Sequence, residues 1–180
     1  MIDAIVVIES EFRDSGFDGA PKTVAERVFF RERIEQIQAG MIEFIPEDLR
    51  EDFIESCTLT HTFSNGLYVR QIFLPAGSFI IGKIHKKSHM NIISSGRCIV
   101  RTEKFGSVIY DATDKPITFE SEKGTKRVLW VEEDTYWTTL HVTECTNVAD
   151  VEKEIFEIFY SDFVLDNPEF SLSLIEDKVA

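Results

Sequence analysis

This 180-residue sequence predicts a mainly β fold: an antiparallel barrel with a helical extension before it and a helix after it. Three observations carry that expectation. Between Cys57 and Thr143, short runs of extended-type residues are broken at close intervals by turn residues, as in sandwiches and barrels. Asn65-Gly66 joins two such runs, and both residues tolerate the positive φ of a tight hairpin. On either side of this stretch the apolar residues recur at helical spacing.

The elements follow in chain order. Glu9 to Pro21 is polar and contains glycine, so it reads as a loop or arm. Thr23-Val-Ala-Glu26 matches a capping box, in which the two side chains satisfy free amides of a starting helix. Phe30, Ile34, Ile37 and Met41 then form one apolar face. That face is core or subunit contact. Gly40 is the expected stop, and Pro46 opens a second short helix with Leu49 and Phe53 on one side. In the middle part Cys57, Leu59, His61 and Phe63 alternate with threonines, and Leu67 to Leu74 continues after the hairpin. Further strands are expected at Phe79 to His85, Met90 to Ser94, Arg97 to Glu103, Ser107 to Asp111, Ile117 to Glu120, Lys126 to Val131 and Thr135 to Thr143. Glu132-Glu133-Asp134 reads as a solvated turn between the last two. Asn147 caps a final helix whose Val151, Ile155 and Ile158 share a face. The expected organisation is an arm and helical extension over 1–56, a barrel over 57–144, and a helix and tail over 145–180, in one compact domain.

Composition narrows the function classes. A net charge of −13 disfavours nucleic acids and anionic membranes, whose phosphates would be repelled. The three cysteines form no CxxC pair and read as buried free thiols in a reducing compartment. The N-terminal run Ala4 to Ile8 is too short for a signal-peptide core. These features together predict a soluble cytoplasmic protein.

Chemistry concentrates where His85 and His89 lie between a Pro75-Ala-Gly77 turn and an apolar segment closed by Gly96. Neutral imidazole is the commonest protein ligand for transition metals. Trp137, Thr139 and His141 share a face of a later strand, so a barrel can bring His141 opposite His85 and His89. Three nitrogen ligands with an open position suit Fe, Zn or Mn. Lys83 shares the parity of His85, and with Arg127 it would repel a cation. The competing expectation is therefore a cationic pocket of Lys83, His85, His89 and Arg127 for a small polar or anionic molecule. His61 is the least persuasive of the histidines. Tyr136 and Trp137 read as core or interface, and Lys86-Lys87 as a surface pair.

The stretch from Gly77 to Gly96 resembles the first motif of the cupin family, approximately G-x5-H-x-H-x3,4-E-x6-G. His85 falls on the second histidine, Lys83 replaces the first, and His89 stands where glutamate is usual. Glu122-Lys-Gly124-Thr-Lys-Arg127 resembles the centre of the second motif, with Arg127 in place of its histidine. Thr60 to Phe63, Asn91 to Gly96 and Glu133 to Trp137 are similar to segments of single-domain cupins of phages and prophages. The resemblance implies a double-stranded β-helix, or jelly roll, and a small-molecule site. It leaves open a phage accessory binder with a host-modulating role, a metal-dependent enzyme acting on a small metabolite, and a non-catalytic scaffold. Apolar helix faces at both ends add the expectation of a homodimer or larger homo-oligomer.

Overall fold

The computed structural model describes residues 19–44 and 57–156, the side chains of 39–44 excepted. The expected arm as far as residue 18, the helix at Pro46, the Met41 and Ile158 side chains and the C-terminal tail fall outside those residues. The elements are α1 (Val24–Phe44), β1 (Leu59–Ser64), β2 (Leu67–Leu74), β3 (Phe79–Ile81), β4 (His89–Thr102), β5 (Gly106–Asp111), β6 (Ile117–Ser121), β7 (Arg127–Val142) and α2 (Val148–Ile155). Among the described residues the fold is mainly antiparallel β, with one helix before the strands and one after. No helix among the described residues is long and apolar enough to cross a membrane.

Local chemistry sets the element ends. The Glu26 amide donates to Thr23 Oγ1 at 3.1 Å and the Thr23 amide to Glu26 Oε2 at 3.2 Å, which is the expected capping box. Asn65 and Gly66 turn the β1–β2 hairpin with φ of 28° and 80°. Asn147 Oδ1 accepts from the Asp150 amide at 3.0 Å and opens α2. Gly40 does not end α1, which continues to Phe44; one glycine lowers helix propensity by only about 1 kcal/mol.

Two strands organise the sheet. β7 pairs with β2 along one half and β3 along the other, and with β4 along most of its length. β4 in turn pairs with β6 along its first half and β5 along its second. Each was expected as two strands separated by a turn. Instead the chain bends within continuous strands, at register shifts between Ile93 and Cys98 of β4. Glu132, Glu133 and Asp134 therefore lie within β7 rather than in a turn. β3 is also shorter than expected, because Gly82 and the residues to Ile84 leave extended pairing.

Gly96 makes the bend possible. Its φ is +95°, and a Cβ there would sit 2.3 Å from the Asp134 carbonyl oxygen. Gly96→Ala should therefore lower unfolding free energy by about 2–4 kcal/mol, combining left-handed strain with overpacking. Urea denaturation measures this; a loss below about 1 kcal/mol would show that the bend can relax.

The core has three parts. Leu74, Ile93, Cys98, Val131 and Trp137 fill the space between the sheet halves. Phe30, Ile34 and Ile37 of α1 pack on Phe79 and Val128, so this helix face is core within the chain. Tyr68 packs against Val151, Ile155 and Phe156, which fixes α2 across the mouth of β2. Burying each large apolar side chain stabilises the fold by about 1.5–3 kcal/mol. Cys98 is buried, whereas Cys57 and Cys145 are only half-buried, and all three are free thiols.

Candidate metal centre

His89 opens β4 and His141 lies near the end of β7. Met90 pairs with Leu140, so the next positions outward, His89 and His141, stand opposite each other. His85 reaches them from the irregular segment between β3 and β4. That segment is held by a bridge from His85 to Phe156 and by the Gly124 amide donating to the His85 carbonyl at 2.8 Å. The three rings are nearly parallel. His85 lies 3.9 Å from His89 and 5.0 Å from His141, centre to centre, and His89 lies 4.7 Å from His141. All three are buried, and one ligand atom from each lies within 4.8 Å of the others.

The cluster has the electronic character of a ligand set. His85 Nδ1, His89 Nε2 and His141 Nε2 are buried without a hydrogen-bond partner. Such orphaned atoms are costly unless something else satisfies them. His89 Nδ1 lies 3.3 Å from the Lys87 carbonyl. A proton on Nδ1 donated there leaves the lone pair on Nε2, the arrangement that orients metal-bound imidazoles. Burial, followed by the charge of Arg127, pushes His89 down to about 3. Burial, followed by Arg70, pushes His141 down to about 4. His85 is also held well below its usual value, by burial first and the neighbouring histidines and arginines after it. The rings are thus neutral at neutral pH, as metal ligation requires. Two zinc–nitrogen bonds of about 2.1 Å span at most about 4.2 Å, so the rings would have to close inward to hold a metal.

A cavity of about 230 Å³ adjoins the cluster and shares His85 as a wall. Its apolar lining includes Ile72, Leu74, Ile80, Leu129 and Trp137. Arg127 is buried here, its Nη2 donating to Ser121 Oγ at 2.8 Å and its guanidinium carbon 5.7 Å from the Trp137 ring centre. Asn91 ties this side together: Trp137 Nε1 donates to its Oδ1 at 2.9 Å, and its Nδ2 donates to Ser121 Oγ at 2.9 Å.

The remaining candidates lie around the cluster. Lys83 lies on the cavity wall but is exposed, with Nζ 3.7 Å from Glu152 and 4.7 Å above the Phe156 ring. The parity argument that paired it with His85 fails because β3 ends at Ile81. His61 stands apart from the cluster, its Nδ1 2.6 Å from the buried Tyr68 hydroxyl. Lys86 and Lys87 lie at the surface and contact α2 through the Lys153 carbonyl and the Glu154 carboxylate.

Sequence reasoning missed Arg70. It lines the cavity and sits 5.7 Å from the Phe156 ring centre, with a buried Nε that has no hydrogen-bond partner. The available signal was its inward parity with Tyr68, Ile72 and Leu74 on β2.

No protein-family profile matches the sequence, and neither does any curated protein. Solved structures similar to it include a cupin-2 domain protein of Shewanella frigidimarina, at 7% identity over 48% of this chain and 80% of that one, TM-score 0.39. A cupin protein of Methanocaldococcus jannaschii with a double-stranded β-helix fold shows 12% identity over 48% and 79%, TM-score 0.38. The chain is similar to cupin-domain proteins. Ectoine synthase from P. lautus is a further likeness, at 11% identity over 54% of this chain and 71% of that one, TM-score 0.43.

Proposed function

We propose that this chain is a cupin-type binder of a small polar or anionic molecule, with one divalent transition metal held by His85, His89 and His141. The observation that carries the reading is the convergence of three buried, neutral imidazoles whose free nitrogens have no other partner. Zn, Fe and Mn all accept imidazole ligands. Three protein ligands leave a coordination position open, and a metal there would supply Lewis acidity toward a bound oxygen atom. Among this chain's own residues, Asn91 and Ser121 orient Trp137 and Arg127 beside an apolar wall. That arrangement also favours a second reading, a metal-dependent enzyme acting on the same small molecule. The phage accessory role is supported by the motif resemblance. A homo-oligomer is supported by exposed apolar side chains such as Val142, Ile109 and Phe105.

Metal analysis tests the centre. Purified protein, or metal-free protein titrated with Zn²⁺, Fe²⁺ or Mn²⁺, should bind about one equivalent per chain. The His85→Ala variant should lose it while keeping the same circular dichroism. Failure of all three ions to bind at micromolar concentration, or binding unchanged by His85→Ala, would overturn the assignment.

A further inference from the structure

The cavity beside the histidines has an unusual charge balance for so acidic a chain. Arg127 and Arg70 both line it. Among the described residues neither arginine forms an ion pair, although Lys83 on the same wall does. No aspartate or glutamate is among the lining residues. Arg127 is 7% exposed and has one protein acceptor, Ser121 Oγ. The guanidinium of Arg70 carries a buried nitrogen with no acceptor at all. Guanidinium charges without a counter-charge are costly in an apolar site, so an anionic occupant would compensate both.

The remaining walls restrict that occupant. About 230 Å³ is room for roughly eight water-sized groups at about 30 Å³ each, the scale of a small molecule. Ile72, Leu74, Ile80 and Leu129 cover much of the lining and offer no hydrogen bond. Oxygens of a phosphate left facing these side chains would lose hydration without compensation. A carboxylate has only two oxygens, which a guanidinium can satisfy in parallel. The chain also makes local room for this geometry. A Cβ on Gly82 would lie 2.6 Å from Arg127 Cγ, so glycine there lets the arginine stem pass.

We propose that the cavity takes a small monocarboxylate with an apolar body, its carboxylate held by Arg127 and Arg70 and its body packed on Trp137 and the aliphatic wall. This deepens the functional reading above and rests on its claim that the cavity binds an anion. Arg70, which forms one side of the carboxylate site, becomes a specificity residue of that pocket.

Calorimetry on the full chain, stripped of metal with EDTA, tests it with benzoate and isovalerate as probes. Benzamide serves as the neutral match and inorganic phosphate as the competing anion. At least one of the two carboxylates should bind, with benzamide and phosphate at least tenfold weaker. Arg127→Met and Arg70→Met keep most of the side-chain volume, and each should weaken carboxylate binding at least tenfold. Gly82→Ala should do the same by displacing the Arg127 stem, so the test survives if one arginine variant does not fold. The proposal is overturned if neither carboxylate binds, if benzamide binds as well as benzoate, or if affinity survives in every folded variant. Phosphate binding alone would overturn the carboxylate assignment and leave an anion site. Metal content, measured on the untreated protein, is a separate readout. Carboxylate binding by a protein that takes up no metal would remove the metal centre and keep this site.

Discussion

Glu103→Ala should destabilise the protein by about 3–5 kcal/mol, the cost of stranding one member of a buried ion pair. Glu103 and Arg31 are 1% and 4% exposed. Arg31 Nη2 donates to the Glu103 carboxylate and, at 2.9 Å, to the Gly124 carbonyl. The same carboxylate accepts from the Lys126 amide at 3.1 and 3.2 Å. Helix α1, the β4–β5 turn and the approach to β7 therefore meet at one charge pair. Arg31→Ala should cost a similar amount, since it leaves a buried carboxylate. Replacing both, as Arg31→Met with Glu103→Leu, should recover much of the loss, because no charge is then buried alone. Urea denaturation of the four proteins measures the losses and the recovery. Single-variant losses below about 1 kcal/mol would show that water reaches the pair.

Acidification should destabilise the metal-free protein sharply between pH 6.5 and 5. An unfolded-chain histidine takes up a proton near pH 6.5, whereas folded His89 and His141 resist until about 3 and 4. Over that interval the unfolded state binds more protons, so stability is full above pH 6.5 and falls as the pH drops toward the folded values. Each buried histidine should contribute about 1–2 kcal/mol of loss by pH 5, before most carboxylates titrate. Thermal unfolding at pH 7, 6 and 5 measures the slope. Metal-loaded protein should resist further into acid, because the metal occupies the lone pairs that protons would take and binds only the folded form. His141→Gln should make the metal-free slope shallower. An unfolding temperature that does not change over this interval would contradict buried neutral rings.

Much of the architecture was legible because it depends on local chemistry. Thr23 with Glu26, Asn65 with Gly66, and Asn147 each satisfy nearby backbone groups or supply a particular φ, and each acts where the sequence places it. The meeting of His85, His89 and His141 was legible in strand parity, a bend over Lys86 to Ser88 and closure of a barrel. What escaped depends on distant partners. Gly96 reads as a strand end in isolation, but here it accommodates Asp134 and Thr135 within a continuous strand. Lys83 shares the parity of His85, yet Gly82 and its neighbours leave the sheet and break the alternation. Arg70 reads as an ordinary polar strand residue until Phe156 closes over it from α2. The buried pair of Arg31 and Glu103, 72 positions apart, had no local signal at all.

The continuity of β7 has a consequence for how the site can fail. One unbroken strand carries Arg127 at its first position and His141 one residue before its end, with Trp137 and Thr139 between them. It is hydrogen-bonded to β4 on one side and to β2 and β3 on the other. Fraying of a terminus or opening of a loop cannot separate the arginine from the histidine. Only rupture of the central ladder can, and such openings approach the free energy of global unfolding. Arg127 and His141 therefore belong to one cooperative unit, whereas His85, on the irregular segment after β3, can leave by a local opening.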